Sequence, residues 1–355
     1  MEAKWLSNNF DYEKIILSGD LGGTNANLAL VGKSEGKYTI IVEYIYKSNN
    51  INDIIEPINE VLQLSKDKSS NLIPDLCCIS AAGPVDNNYC QLTNCDWNVD
   101  GEKIQSAIGI KTLVINDFLA IGYGIPTLDV NNPDQITKIP TSDGSYPVPQ
   151  GVIKAVVGAG TGLGVGYLNA VSGIYRANSS EGGHSGYESF DEETRKLKEY
   201  ITNKIGKSPG TELFVSGQGI VNIYYYLKEK ENIEITGILK EIDEAPDEGK
   251  PAIISKHARE NEICMNIMKL FVKMYARFAS NLSLIFLPFA GMYLAGGIVT
   301  KNEWLFLEDN LFIKNFEKNY NPNIRPLLKK IPVYIIKDYS ISLFGAANAA
   351  VTLME

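Results

Sequence analysis

The stretch Ser18-Gly19-Asp20-Leu21-Gly22-Gly23-Thr24-Asn25 (SGDLGGTN) separates the apolar run KIIL from the strand-like run ANLALV, near the start of the chain. This turn is longer than the two-residue Asn-Gly or Asp-Gly connections that are typical of hairpins. Its glycines allow backbone amides to approach an anion, and Thr24 adds a hydroxyl donor. A carboxylate repels phosphate, so Asp20 fits this turn when a divalent cation lies between them. We therefore predict a strand–turn–strand unit that binds phosphate.

The bulk composition limits the class of protein. A length of 355 residues favours two domains over one. A net charge of −9 argues against nucleic acid as the main partner, because phosphate backbones are bound by basic surfaces. No apolar run reaches the roughly 18 residues of a membrane span, and the first residues have no signal-peptide core. The odd number of cysteines, five, predicts reduced thiols and a cytoplasmic location.

Hydrophobic patterns predict an antiparallel meander of strands over residues 14–18, 26–32 and 38–46, followed by a helix over 51–64. Pro57 is expected to kink that helix. The pattern restarts later in VIKAVVGAGTGLGVGYLNAV, which repeats the order of strand, glycine turn and strand. The repetition predicts a duplicated architecture in which two domains face one cleft.

The patterns of four other segments predict structural elements only. Residues 126–150 are rich in turn residues and predict a long loop or insertion between the two halves. The apolar stripe from Ile263 to Ile285 predicts a core helix that ends near Pro288. Residues 229–260, rich in Glu, Lys and Asp, predict a solvated helical hairpin without chemistry. The small residues of SLFGAANAAVTLM predict a C-terminal helix.

The second glycine turn, GAGTGLG at residues 158–164, does not match the dinucleotide-binding pattern. Its glycines fall at every second position, and a strand rather than a helix follows, whereas G-x-G-x-x-G opens a helix. No Walker motif G-x-x-x-x-G-K-[ST] is present either. Two hairpin turns suit a nucleotide phosphate chain that is held between domains. Gly296-Gly297, between a strand and a helix, would suit a nucleoside base or ribose.

Polar residues form a further candidate site. Asp117 follows the strand-like run TLVIN and can accept a proton from a substrate hydroxyl, although Asn116-Asp117 could equally be a turn or helix cap. Glu181 and His184 flank two glycines; they could be structural, and two ligands are too few to predict zinc. Glu212 could bind a hydroxyl or stabilise a helix dipole. The set supplies mainly acceptors and no cationic groups, which favours a neutral polyol.

Nine segments in order resemble the bacterial-type ATP-dependent glucokinases of the hexokinase, actin and heat-shock ATPase superfamily: GDLGGTN, AAGPV, LTNCDW, INDF, GAGTGLG, EGGH, SGQGIVNIY, LAGGIV and IPVYII. The resemblance runs from about Leu17 to Ala349. It implies an α/β, two-domain actin-like ATPase fold with ribonuclease-H-like cores around a central cleft. The implied small domain comprises residues 1–125 and 338–355, and the large domain comprises residues 126–337.

The same resemblance implies phosphorylation of the 6-hydroxyl of D-glucose by ATP and Mg²⁺, a step of glycolysis, in a cytoplasmic homodimer. Asp117 would be the general base, and Asp20 would lie near the metal ion. The other sugar hydroxyls would be bound by Asn116, Glu181, His184 and Glu212. The nucleotide would be bound by a first phosphate loop of Gly19, Asp20, Gly22, Gly23, Thr24 and Asn25, a second of Gly160, Thr161 and Gly162, and the adenosine strand at Gly296 and Gly297.

This chain departs from the family pattern at several places. Many relatives carry Arg where this chain has Asn27, so a charged contact is expected to be missing. The cysteine-rich zinc motif and the N-terminal DNA-binding module of the repressor branch are absent, so we predict no structural zinc. The alternatives are a kinase for mannose or glucosamine, a non-catalytic sugar sensor, and an actin-like or chaperone ATPase. The sequence does not rank the hexoses, or ATP against ADP and polyphosphate.

Overall fold

The computed structural model describes residues 2–92, 95–230 and 233–355. Thr93 and Asn94 of the LTNCDW segment therefore lie outside the described residues. The chain divides into two units, of which the first comprises residues 1–129, 170–179 and 338–355 and the second comprises 130–169 and 180–337. Compared with the predicted small domain, the first unit also includes residues 126–129 and 170–179. Ala177 of the latter segment packs beside Gly122.

The strands are β1 (Glu2–Trp5), β2 (Lys14–Leu21), β3 (Asn25–Ser34), β4 (Lys37–Lys47), β5 (Leu76–Ala81), β6 (Val85–Asp86), β7 (Tyr89–Gln91), β8 (Asn98–Asp100), β9 (Thr112–Asn116), β10 (Ile136–Ile139), β11 (Ile153–Ala159), β12 (Leu163–Val171), β13 (Ile174–Ser180), β14 (Met292–Ala295) and β15 (Val333–Ile336).

The helices are α1 (Ile55–Lys68), α2 (Gly101–Ile108), α3 (Asp117–Gly124), α4 (Glu192–Ile205), α5 (Gly217–Lys230), α6 (Ile238–Glu244), α7 (Lys250–His257), α8 (Glu262–Phe286), α9 (Gly297–Lys301), α10 (Glu303–Leu307), α11 (Leu311–Phe316), α12 (Arg325–Leu328) and α13 (Ile341–Met354).

The two large sheets repeat one arrangement. The first has the order β1-β4-β3-β2-β5-β9, and the second has the order β10-β15-β14-β11-β12-β13. In the first sheet β2 pairs antiparallel with β3 and parallel with β5, which in turn pairs parallel with β9. In the second sheet β11 pairs antiparallel with β12 and parallel with β14, which pairs parallel with β15. The predicted repetition of a strand–turn–strand unit is therefore confirmed.

Both faces of the first sheet are covered, as the alternation of its side chains requires. Leu17 and Leu28 belong to an apolar cluster that includes residues of α1 and α2, whereas Ile16 and Ala29 belong to a cluster with α3 and α13. The small residues of α13 allow it to pack very closely on α3, because a Cβ atom on Gly345 would collide with the carbonyl oxygen of Ala120. The predicted C-terminal helix is thus confirmed, and its composition has a packing reason.

The long apolar stripe forms α8, which is the main helix of the second unit's core, so that prediction is confirmed. Two other predictions were wrong in part. Residues 126–150 are not one long loop, because β10 lies within them and pairs with β15. The first helix begins at Ile55, which puts Pro57 in its first turn, where the missing N–H of proline has no helical partner to lose. Within the described residues, no helix is both long and apolar enough to cross a membrane.

Candidate active site

Three polar residues lie near the carboxyl ends of three neighbouring parallel strands in the first sheet. The parallel register pairs Asp20 of β2 with Ser80 of β5, and Ala81 of β5 with Asn116 of β9. Because parallel strands end at the same edge, the residues that follow these strands converge there. Asp117 is the next residue after β9 and the first residue of α3. The sheet therefore brings the predicted metal carboxylate and the predicted base into the same part of the first unit.

The two oxygens of the Asp117 carboxylate have different surroundings. Oδ1 accepts a hydrogen bond from the Phe118 amide at 2.8 Å and another from Nδ2 of Asn116 at 2.9 Å. No other described residue donates a hydrogen bond to Oδ2. Burial is the main cause of a raised pKa for Asp117, and the charge of Asp20 adds to it, while hydrogen bonds from the Phe118 amide, from Asn116 and from the backbone of Asp117 itself oppose it. The carboxylate thus has one fixed oxygen, one free oxygen and a basicity above that of an ordinary Asp.

The side chain of Asn116 is fully engaged by the protein. Its Oδ1 accepts from the amides of Phe118 and Leu119 at 3.0 and 3.2 Å, so it caps α3. Its Nδ2 donates to Asp117 and to the carbonyl oxygen of Gly83 at 3.1 Å. The helix-cap alternative therefore describes Asn116, and a sugar contact would have to replace one of these bonds. Its role as a sugar ligand stays a prediction.

In the first glycine turn some backbone and side-chain groups form hydrogen bonds within the protein, whereas other backbone amides do not. The Gly22 amide donates to the Asn25 carbonyl at 3.0 Å, and Lys47 donates to Oδ1 of Asn25 at 2.9 Å. In the described part of the chain, the amides of Gly23 and Thr24 donate no hydrogen bond, and Thr24 is exposed. Gly22 and Asn25 therefore shape the turn, whereas the amides of Gly23 and Thr24 are the groups that can bind an anion.

Asp20 and Asn27 are opposite each other in the β2–β3 register. Oδ1 of Asn27 is buried and has no hydrogen-bond partner, so the amide does not supply the charged contact that an Arg would. Glu43 of the neighbouring β4 has a pKa that is raised by burial with a contribution from Asp20, while the charge of Lys4, its partner in the β1–β4 register, opposes the rise. The loss of a charged contact at residue 27 stays a prediction.

The second unit brings together three of the four residues that were predicted to bind the other sugar hydroxyls. Nε2 of His184 lies 3.7 Å from Oε2 of Glu181, and its Nδ1 lies 4.0 Å from Oε1 of Glu212. The side chains of Glu181 and His184 are 92% and 65% exposed, so both are open to a ligand, whereas that of Glu212 is 29% exposed. The structure therefore forms a cluster of acceptors around one imidazole.

Glu212 is fixed by the second glycine turn. The Leu163 amide donates to its Oε2 at 2.9 Å, and a Cβ atom on Gly162 would lie only 2.7 Å from the same oxygen. Gly162 is thus needed for the approach of this carboxylate. Glu212 itself belongs to a short 3₁₀ turn that ends before α5 begins at Gly217, so it is not a first-turn residue of that helix.

A cavity of about 800 Å³ lies within the second unit, and three of the predicted nucleotide-binding residues line it: Gly160, Thr161 and Gly297. A Cβ atom on Gly160 or Gly297 would meet no atom within 4 Å, and neither residue has a left-handed φ. Neither glycine is therefore required by the fold. Their missing side chains leave room in the cavity instead.

Gly296 has a different role from its neighbour. Its φ of +100° is a conformation that favours glycine, and a Cβ atom there would collide with the carbonyl oxygen of Ala159. It allows the ends of β14 and β11 to approach closely, and it is not among the residues that line the cavity. The double glycine thus combines one structural residue, Gly296, with one residue that shapes the cavity, Gly297.

The sequence failed to predict the opposite wall of this cavity. Residues from the segment 229–260, including Asp247, Ser255 and Arg259, line it together with Trp304, whereas the absence of chemistry from this segment stays a prediction. The guanidinium carbon of Arg259 lies 4.2 Å from the centre of a Trp304 ring, a stacked arrangement. No sequence pattern relates Arg259 to Trp304. The basic residues of SKHARE were the one sequence feature that could have indicated a binding site here. His257 in that cluster is partly buried.

The two sheets repeat one arrangement with glycine turns, and the chain has the actin-like fold of the sugar kinases. The sequence model of the Glucokinase family matches residues 17–353. The chain therefore belongs to the glucokinase family, whose members are phosphotransferases that act on hexoses.

Individual relatives agree with this assignment. The glucokinase of Nostoc punctiforme is 34% identical over 356 residues, which cover 96% of this chain and 99% of that protein. The glucokinase of a Synechocystis strain is 32% identical and covers 94% of this chain and 97% of its own length. A crystal structure of glucokinase from an Antarctic psychrotroph has a TM-score of 0.81 and 25% identity, with 96% and 99% of the two chains covered. A ROK family glucokinase from Streptomyces griseus, in complex with glucose and AMPPNP, shares the fold with a TM-score of 0.61 at 18% identity, and it covers 95% of this chain and 99% of that one.

The contacts of Asn116 give a prediction that separates orientation of the base from sugar binding. Asn116→Ser keeps an N-cap acceptor but loses the Nδ2 donor to Asp117. Removal of a hydrogen bond to the charged form raises the pKa of Asp117, so we expect the acid limb of the kcat/KM profile to move to higher pH by about one unit. The measurement is kcat/KM for glucose between pH 5 and 9.

Asn261→Ser is the matched control, because Asn261 caps α8 in the same way and lies outside the site. We expect this variant to keep the wild-type pH profile. A rise in the KM for glucose with an unchanged pH profile in Asn116→Ser would contradict the orienting role and favour direct sugar binding.

Proposed function

We propose that this chain transfers the γ-phosphoryl group of ATP to the 6-hydroxyl of D-glucose, with Asp117 as the general base. The observation that carries the proposal is the asymmetric carboxylate of Asp117, whose Oδ1 is held by two donors while Oδ2 has none from any other described residue. Such an oxygen can accept the proton of a hydroxyl group that attacks phosphorus. Glucose 6-phosphate and ADP are the products, and the proton on Asp117 then passes to solvent.

The sugar would be bound by the cluster of Glu181, His184 and Glu212. Carboxylates accept hydrogen bonds from pairs of hydroxyl groups, and the imidazole can accept or donate. Two carboxylates close to one imidazole give a site that is negative whether or not the imidazole is protonated, which disfavours an anionic sugar such as a sugar phosphate. Asn116 is a further candidate ligand on the side of the base. Mannose and glucosamine differ from glucose at carbon 2 and remain the alternative substrates.

The nucleotide would occupy the cavity of the second unit. Its volume of about 800 Å³ suits a nucleoside, which supports ATP as donor over polyphosphate. Trp304 and Arg259 would provide flat surfaces for a purine, and Gly160 and Thr161, which also line the cavity, would contact the phosphate chain. The Streptomyces griseus enzyme with the same fold was solved with glucose and AMPPNP, which favours the same pair of ligands here.

Catalysis of this transfer depends mainly on positioning and on neutralisation of charge. The amides of Gly23 and Thr24 would bind phosphate oxygens, whereas Gly19 allows close packing, because a Cβ atom there would lie 2.6 Å from the Ile79 side chain. Asp117 would remove the hydroxyl proton, a contribution of roughly 10²–10⁴ in rate for general-base catalysis. The two glycine turns and the base therefore have separate tasks in the proposed reaction.

Mg²⁺ is the metal ion that the proposed reaction needs, and Asp20 is the residue that would hold it. Each Asp20 oxygen accepts one hydroxyl hydrogen bond and keeps free lone pairs, which suits a direct or water-mediated ligand. No cluster of three or more metal-binding side chains occurs in the described ranges, so the donor set fits an ion that arrives on the nucleotide. When bound, Mg²⁺ neutralises charge on the β- and γ-phosphates.

We also propose that the protein is a homodimer that uses an apolar surface of the second unit. Val148, Val152, Ile285 and Leu287 are exposed, and a hydrogen bond of 2.8 Å from the Gln150 amide to the Phe289 carbonyl brings the two segments alongside each other. Exposed apolar patches of this kind commonly mark interfaces.

Sedimentation velocity is expected to show a dimer for the wild type and for Ile73→Lys, and a monomer for Ile285→Lys. A wild-type monomer would contradict the proposal.

The general-base assignment leads to a direct prediction. Asp117→Asn keeps the shape of the side chain but removes the proton acceptor, so kcat is expected to fall by at least about 10². Binding of glucose, measured by calorimetry, should persist because the cluster in the second unit is unchanged. A coupled ADP-release assay measures kcat. An unchanged kcat in a preparation free of host kinases would refute the role of Asp117.

A further inference from the structure

Both carboxylate oxygens of Asp20 accept a hydrogen bond from a buried serine. The hydroxyl of Ser80 donates to Oδ1 at 3.0 Å, and the hydroxyl of Ser342 donates to Oδ2 at 2.7 Å. Ser80 is fully buried and Ser342 is 8% exposed. A carboxylate at the end of a strand can rotate about two side-chain bonds. Donors on both oxygens restrict that rotation to one orientation.

The two serines belong to distant parts of the chain. Ser80 is the parallel-strand neighbour of Asp20 in the β2–β5 register. Ser342 lies in the first turn of α13, 322 residues after Asp20. A serine hydroxyl inside a helix commonly bonds to the backbone carbonyl of the preceding turn. That of Ser342 is instead directed to a carboxylate outside its helix.

Helix α13 is held firmly enough to fix this hydroxyl. Ser18, which is on the same strand as Asp20, donates to the carbonyl oxygen of Leu343 at 2.6 Å. Further along the helix, Nδ2 of Asn348 donates to the carbonyl oxygen of Tyr123 in α3 at 2.8 Å. The helix is therefore anchored both to the strand that carries Asp20 and to the helix that begins with Asp117.

We propose that Ser342 and Ser80 are positioning residues that orient Asp20 toward the metal ion of the nucleotide, which makes the first turn of the C-terminal helix a part of the active site. The inference rests on the proposed function, because it takes MgATP as the phosphoryl donor. It adds two residues that are far apart in sequence and that contact neither the sugar nor the nucleotide themselves. Their effect on the reaction passes through Asp20.

The test compares Ser342→Ala with the control Ser18→Ala. Both changes remove one buried hydroxyl that joins β2 to the first turn of α13, but only Ser342 contacts Asp20. The readout is the affinity for ADP by calorimetry, measured with excess Mg²⁺ and with EDTA, together with the melting temperature. Ser342→Ala is expected to lose about tenfold of the Mg²⁺-dependent gain in affinity. Ser18→Ala should have a lower melting temperature than the wild type but keep the full Mg²⁺-dependent gain in affinity.

Further variants make the result decisive. Ser80→Ala is expected to lose part of the same gain, and Ser342→Thr should restore it because it keeps a hydroxyl. In an Asp20→Asn background, Ser342→Ala should cause no additional loss. A full Mg²⁺-dependent gain in Ser342→Ala, or an equal loss in Ser18→Ala, would overturn the inference.

The same measurements separate this inference from the proposed function. ADP binding does not depend on turnover, so it can be measured even when the chain consumes no ATP with glucose. Active wild type with a full Mg²⁺-dependent gain in Asp20→Asn would overturn the positioning role and leave the kinase assignment intact. Inactive wild type with the expected losses would reject the glucose kinase and retain the orientation of Asp20.

Discussion

The parallel pairing of β2, β5 and β9 is the constraint on which the candidate site depends. It sets Asp20 beside Ser80 and Ala81 beside Asn116, so that a carboxylate, its hydroxyl donor and the residue before Asp117 share one edge of the sheet. A shift of one residue in either pairing would turn these side chains to the opposite face. The apolar layers on both faces oppose such a shift, because it would exchange the residues that each layer buries.

The second sheet uses the same arrangement for a different task. Its central hairpin ends in a turn whose Gly160 amide donates to the Gly162 carbonyl at 2.9 Å, much as Gly22 donates to Asn25 in the first unit. Gly162 then admits the carboxylate of Glu212, and Gly296 admits the carbonyl of Ala159. One repeated architecture thus carries the proposed base and metal carboxylate in one unit, and the proposed sugar-binding cluster and nucleotide cavity in the other.

The features that the sequence predicted well are local ones. The strand–turn–strand units, α8 and α13 could be predicted because the periodicity of apolar residues and the positions of glycines determine structure over a few residues. The features that it missed depend on contacts between distant segments. The cavity wall at Arg259 and Trp304, the strand β10 within an apparent loop and the contact of Ser342 with Asp20 have no characteristic spacing in the chain. The sequence predicted Asn116 only in part, because asparagine is suited both to a helix cap and to a sugar ligand. The hydrogen bonds from the Phe118 and Leu119 amides identify it as the cap.

In the proposed reaction the free oxygen of Asp117 takes the proton from the 6-hydroxyl of glucose, while ATP supplies the phosphoryl group. The most direct measurement is ADP release by the purified wild-type chain with glucose, with 6-deoxyglucose and without sugar, alongside quantification of glucose 6-phosphate. We expect equal amounts of ADP and glucose 6-phosphate with glucose, and background ADP release in the other two reactions. If ADP release with 6-deoxyglucose or without sugar equals the release with glucose, the proposed reaction is contradicted.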